Sequence, residues 1–501
     1  MITRFVFAAL LLLAQPALAQ TIADGPRAKP VAAEDGTTQR AAEAVLAAAP
    51  KGTRFGLLVV DTQGRVIVSV NPDMRFVPAS NTKLFTTAAA LALLPRTEWP
   101  DAAGGAQVFL VPGAKGKPKD VVLYGRGDAR LSSAPDCKID GLAALADAVA
   151  AKTRVVGDVI GDDSYFPDQR WSAGMSWNNI GDYNATAASA LSLDANELTV
   201  RVNADPAGGP PLIAAPPYLI VRNEALSVAA GAPTTLQLEH RVNSREFRLY
   251  GTIAVGAPEW RARVGIDDPA DYAATVFAQL LRARGVKVTG KVRMRHQPVL
   301  GKDLQGAAAA RQAAAVAGWD APIAAALPPP ITELIPLINK PSQNHHAELL
   351  LRRIGRMNGG TGSVEDGLAA ERALFIDVGV PAEGFDLFDG SGMSSYNRVS
   401  PRAMIALLRW AIRQPWGTTW LASFPVAGRD GTLKKRFVGT PLDGRISAKT
   451  GTLNATNALS GTMITASGRT LIFAFYANDV PDGASAVPTM EQVLQVVAAA
   501  N

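Results

Sequence analysis

The two ends of the chain have the same texture, and this limits the folds open to it. Near the start, residues 54–70 form two apolar runs around a Thr62-Gln63-Gly64 turn, the pattern of a strand hairpin. A helix is expected over 41–49. Another, over 79–94, follows Pro78 and is stopped by Pro95. Near the other end, residues 445–453, 458–465 and 470–477 read as three strands separated by turns, and 490–500 as a closing helix. The expected fold is therefore α/β: one antiparallel sheet with helices, built from both chain ends, with the middle inserted between them.

The middle differs. Residues 105–166 alternate short strands with a helix at 141–151. Residues 193–265 are strand-rich and broken by the Pro/Gly loop at 204–211. A helix at 269–285 and a strand at 286–294 follow, then an alanine-rich run at 307–317 and a stiff Pro328-Pro329-Pro330 connector. Junctions are expected near 96, 192, 268 and 312. They assign 20–96 and 312–501 to one domain, 97–192 and 269–311 to an insert, and 193–268 to a β-rich insert nested inside it.

Residues 1–19 stand apart. Arg4 gives a positive start, 5–13 is an unbroken apolar run, and Ala17-Leu18-Ala19 is a small-x-small site before Gln20. This is the layout of a secretory signal peptide, so a secreted, periplasmic protein is expected. The run is too short to span a bilayer as a helix, and no transmembrane segment is expected elsewhere. The 20–38 stretch reads as a leader. Cys137 is the only cysteine, so no internal disulfide can form; lying in a polar loop without a nearby histidine, it makes a poor nucleophile. Net charge is +6, with no basic run interleaved with aromatics, so nucleic acid is not an expected partner.

Three short stretches carry chemistry. In Ser80-Asn81-Thr82-Lys83, serine and lysine are three apart and share a helix face. A serine hydroxyl is a weak nucleophile and needs a base; a lysine serves if burial or a second cation lowers its pKa. Ser342-Gln343-Asn344 offers a hydroxyl to relay a proton and an amide for a substrate backbone. Ser176-Trp177-Asn178 and Ser395-Tyr396-Asn397 share that spacing, but Ser342 opens an amphipathic helix over 345–357 and lies between the other two stretches in chain order. Lys449-Thr450-Gly451 sits on a predicted strand. Its charge and hydroxyl suit a terminal carboxylate, and Gly451 leaves room for a substrate backbone. The Thr452 N–H pairs with that of Ser80 as an expected oxyanion site.

In this order the three stretches resemble the penicillin-binding serine acyltransferases. Residues 157–166 (GDVIGDDSYF), 389–401 (DGSGMSSYNRVSP) and 427–433 (AGRDGTL) make the chain similar to the D-alanyl-D-alanine carboxypeptidase/endopeptidases of the penicillin-binding protein 4 type. Ser80 and Ser342 are 262 residues apart, matching the two inserted domains of that branch. The resemblance implies a transpeptidase/β-lactamase-like domain with two inserts. It also implies a Ser80 acyl-enzyme released by water, peptidoglycan stem peptides as substrates, and β-lactams as covalent inhibitors. Of the insert's aspartates, Asp162 best matches the one that binds the substrate's diamino-acid side chain, with Asp163 beside it. Ser395 stands where some members have an arginine, and Arg398 is close by.

No cofactor or metal is expected. Adjacent His345 and His346 point in different directions on a helix, and no G-x-S-x-G elbow supports a Ser-His-Asp triad. Arg126-Gly127-Asp128 reads as a strand-to-turn corner. A β-lactamase or esterase on the same chemistry, and a non-catalytic cell-wall scaffold, are the competing functions.

Overall fold

A computed structural model describes residues 36–137, 141–301 and 318–501. The expected signal peptide, the 307–317 run and the junction near 312 lie outside these residues.

The two ends do share a sheet. Its five strands run in the order Val66–Val70, Arg54–Asp61, Thr470–Asn478, Thr456–Ile464, Ile446–Leu453, every pair antiparallel. The central strand reads Thr-Leu-Ile-Phe-Ala-Phe-Tyr-Ala-Asn and is buried along all but its first residue. A near-continuous apolar strand of this kind needs cover on both faces. On one face Leu57, Val59, Phe473 and Phe475 pack with Val493, Leu494 and Val497 of the helix Val487–Ala499. On the other, Leu58, Ile472, Ala474 and Tyr476 join a core that includes the helices Lys83–Leu93, Asn344–Met357 and Pro401–Ile412.

The helix Lys83–Leu93 is the centre of that core. It is apolar or small all round, and Lys83 to Leu91 are all buried, as expected of a helix enclosed on every side. Phe85 packs edge-on against Phe375 and stacks on Phe385. The helix begins later than expected. Residues 79–82 form a tighter 3₁₀ turn, entered through Pro78 and Ala79, the latter at φ +46°.

A second five-stranded sheet has the order Val292–Gln297, Val159–Pro167, Asp120–Tyr124, Gln107–Val111, Ala324–Ala325. Its first three strands are parallel and the helix Pro269–Ala283 packs on it. The strand expected at 286–294 is split into Lys287–Val288 and Val292–Gln297. Gly290 separates the pieces and lies so close to Asp158 that a Cβ would be 2.1 Å from its carboxylate. Between 197 and 265 the chain forms small two- and three-stranded sheets.

Candidate active site

Ser80 lies on the 3₁₀ turn, half-buried, and Lys83 opens the α-helix behind it. The Lys83 Nζ is 2.9 Å from Ser80 Oγ, 2.6 Å from the Asn344 amide oxygen and 2.5 Å from the Ser391 carbonyl oxygen. Burial lowers its pKa to about 7, against the opposing pull of Asp389 and Glu348. A neutral amine has two N–H bonds and one lone pair. Asn344 and Ser391 accept the two hydrogens, and the lone pair is left for the Ser80 hydroxyl proton.

Asn344 reaches this position because the helix Asn344–Met357 packs against Lys83–Leu93. Its amide nitrogen donates to the Asn184 carbonyl at 2.7 Å, which fixes its oxygen toward Lys83. Ser342 was expected at the opening of this helix. The cap is Gln343, whose side chain accepts from the His345 N–H. Ser342 sits just outside at φ +65°, and its hydroxyl accepts from Lys449 Nζ at 2.9 Å.

Lys449 is fully buried on the strand Ile446–Leu453, and it also donates to the Thr450 carbonyl at 2.9 Å. Burial, and secondarily Lys83, hold its pKa well below the ordinary lysine value. Asn81 donates to the Lys449 carbonyl at 2.9 Å, tying the nucleophile's turn to this strand. The contact is close: a Cβ on Gly451 would lie 2.7 Å from the Pro78 carbonyl oxygen. The Thr450 and Thr432 hydroxyls pair at 2.7 Å.

A groove of about 600 Å³ runs over these groups. Its lining includes Ser80, Ser342, Asn344, Thr450, Gly451 and Thr452. All the expected residues are therefore brought together except Asp162. That carboxylate is fully buried in the second sheet, accepts from Ser164 and from Arg295 Nη1 at 3.0 Å, and does not line the groove. Its neighbour Asp163 is likewise committed, to Ser189 at 2.7 Å and His296 at 2.9 Å. The carboxylate lining the groove is that of Asp182, which is exposed. Ser395 is exposed, with its hydroxyl donating to the Gly174 carbonyl, while Arg398 donates to the Ser395 and Asn397 carbonyls.

The 389–401 stretch supports the site. Asp389 accepts from the Gly392 and Ser394 N–H groups and from the Asn397 amide, which folds the 389–398 loop so that the Ser391 carbonyl faces Lys83. Away from the groove, Asp163, Asp168 and His296 place ligand atoms within 4.8 Å of one another. Hydrogen bonds to Asp163 and Asp268 raise the His296 pKa to about 10, and Arg170 pairs with Asp168 at 2.9 Å, so these acids already have their cations.

A half-buried alcohol on a buried amine, with a second lysine–serine pair beside it, is the apparatus of an active-serine hydrolase. The chain belongs to the D-Ala-D-Ala carboxypeptidase 3 (S13) family, whose pattern matches residues 38–500. It is 33% identical over 428 residues to a D-alanyl-D-alanine carboxypeptidase of Actinomadura sp. (strain R39), covering 82% of this chain and 75% of that one. It is 25% identical to the D-alanyl-D-alanine carboxypeptidase DacB of Haemophilus influenzae, over 87% of each chain. The crystal structure of penicillin binding protein 4 from Haemophilus influenzae superimposes with a TM-score of 0.76 at 22% identity, covering 91% of this chain and 97% of that one. The expected fold class and family are both correct.

Proposed function

We propose that Ser80 is the nucleophile and Lys83 its base in a serine-type D-Ala-D-Ala carboxypeptidase that hydrolyses peptidoglycan stem peptides and binds penicillin. The observation that carries this is the 2.9 Å approach of a fully buried lysine amine to the Ser80 hydroxyl.

In the proposed reaction Lys83 takes the hydroxyl proton as Ser80 Oγ bonds to the carbonyl carbon of the penultimate D-alanine. The Ser80 and Thr452 N–H groups receive the oxyanion. A proton passes through Ser342, held by Lys449, to the departing amine as the peptide bond breaks. Water then cleaves the ester and restores Ser80. Asn344 orients Lys83 and the substrate backbone, Lys449 and Thr450 receive the terminal carboxylate, and Gly451 admits the backbone. Cross-linked stem peptides present the same acyl group and would enter the same path. A free amine on the substrate side chain has Asp182 available in the groove; Asp162 is paired with Arg295.

We further propose the division 20–96 with 312–501, 97–192 with 269–311, and 193–268; the separate sheets support it except beyond 312, where the strand Ala324–Ala325 still pairs with Gln107–Val111 of the insert sheet. No helix among the described residues is long and apolar enough to cross a membrane. An exported, periplasmic protein fits the 1–19 pattern and the substrate.

The test is mass spectrometry after incubation with a penicillin, with the modified residue mapped. A lasting adduct on Ser80, and loss of both adduct and D-alanine release in Ser80→Ala, is the expected result. An adduct elsewhere overturns the assignment, and rapid turnover of the penicillin would favour a β-lactamase.

A further inference from the structure

Gln343 stands between two residues that face the groove. On either side of it, Ser342 accepts from Lys449 and Asn344 accepts from Lys83. Its own side chain turns the other way. The amide oxygen accepts from the His345 N–H at 2.8 Å, and Nε2 donates to Glu197 Oε1 at 3.0 Å. Neither Gln343 nor Glu197 is among the lining residues of the groove, so a ligand bound there touches neither.

Glu197 begins the strand Glu197–Asn203, 146 residues from Gln343 in the chain. Its carboxylate is largely enclosed, with 14% of the side chain exposed. The second oxygen accepts from Arg263, on the paired strand Trp260–Gly265. The Arg263 guanidinium also lies over the Tyr183 ring, 3.8 Å from its centre. Tyr183 precedes Asn184, whose carbonyl accepts from the Asn344 amide at 2.7 Å. That turn is itself tied down: Asp182 accepts from the Asn184 N–H at 2.7 Å, and the Gly265 N–H donates to the Gly181 carbonyl at 2.9 Å.

One carboxylate and one guanidinium thus reach residues 342–344 by two routes. Through Gln343 they hold the backbone at the start of the helix Asn344–Met357. Through Asn184 they hold the Asn344 amide. Both routes end at the amide oxygen that accepts from Lys83. Displacing a reacting group by about an ångström costs up to roughly 100-fold in rate, so a contact that no ligand touches can still set the rate.

We infer that Glu197 and Gln343 are a positioning pair, whose bond makes the 193–268 segment a brace that keeps Ser342 and Asn344 on their two lysines. This rests on the Ser80 reading and adds to it residues outside the groove.

A cap role alone makes a different prediction. A carboxylate in place of Gln343 still accepts from the His345 N–H and suits the positive end of a helix. It also sets two like charges face to face with Glu197. Gln343→Glu should therefore stay folded, by circular dichroism, yet be acylated by penicillin roughly 10–100-fold more slowly. Adding Glu197→Gln restores a donor and an acceptor with the partners exchanged, and should bring the rate back to within about threefold of the original. Glu197→Ala, which removes the acceptor and adds no charge, should slow acylation at least about threefold. The rate is read as adduct formation at Ser80 by mass spectrometry. A normal rate in Gln343→Glu, or a double variant no faster than the single, overturns the pair. If Gln343→Glu does not fold, Glu197→Ala decides, and a normal rate there overturns it. Absence of any Ser80 adduct in the unmodified protein would instead count against the nucleophile.

Discussion

Glu348 and Arg352 lie one helical turn apart, both buried, with Arg352 Nη1 donating to Glu348 Oε2 at 2.9 Å. The other Glu348 oxygen accepts from the Gly390 and Ser391 N–H groups at 3.0 Å each. This pair therefore holds the loop whose carbonyl holds Lys83. Arg352→Met leaves the Glu348 charge buried without its cation, a loss of about 3–5 kcal/mol for pairs of this kind. Urea unfolding should show that loss, and penicillin acylation should slow in the fraction that remains folded. Unchanged stability would show that the pair is dispensable.

Lys83 works as a base only when uncharged. With its pKa lowered to about 7 by burial, the acylation rate should fall tenfold for each pH unit below that value and level off above it. Lys83→Ala should slow acylation by roughly 10²–10⁴-fold at pH 8 and remove the inflection. An inflection that survives the substitution belongs to another group.

Gly392 lies at φ +86°, and a Cβ there would be 2.0 Å from the Ala79 carbonyl oxygen. Gly392→Ala must push the 389–398 loop away from the nucleophile's turn, with a left-handed backbone cost of ~1–2 kcal/mol besides. The expected result is a folded protein, by circular dichroism, that labels with penicillin at least tenfold more slowly. Labelling at the normal rate would show that the loop's closeness is not needed.

Asp182 and Asp162 make opposite predictions. Asp182→Asn should raise KM for stem peptides with a free side-chain amine and leave the N-acetylated form unaffected, since Asp182 is exposed in the groove. Asp162→Asn should instead lower the melting temperature, because it breaks the pair that the buried Asp162 carboxylate makes with the exposed Arg295, and treat both substrates alike. The reverse pattern would return amine recognition to Asp162.

The residues proposed for catalysis were legible as a group because their chemistry restricts them to short patterns on definite elements. Ser80 and Lys83 share one turn, and Lys449, Thr450 and Gly451 are consecutive on one strand. The glycine at 451 was readable too, because only a missing Cβ allows the approach to Pro78. Glu348 and Asp182 left no such trace. Each is an ordinary polar residue whose position depends on which distant segment packs against it. Asp162 lies away from the groove for a related reason. Its pattern is real, but alternation along the strand Val159–Pro167 turns that side chain into the second sheet, where Arg295 of the neighbouring strand meets it. Ser342 was legible at the opening of its helix, but which residue caps it was not: Gln343 does, while Ser342 bonds Lys449.

Arg54 and Asp479 pair at 3.0 Å although 425 residues separate them, and the strand Arg54–Asp61 lies directly against Thr470–Asn478. The Lys449 strand reaches Ser80's side of the sheet only through these last strands. During synthesis the serine is therefore made early but remains without its partners until almost the whole polypeptide has emerged. On the proposed mechanism a nascent or C-terminally shortened chain would carry the nucleophile without its partners, so penicillin labelling would report that the last strands have paired.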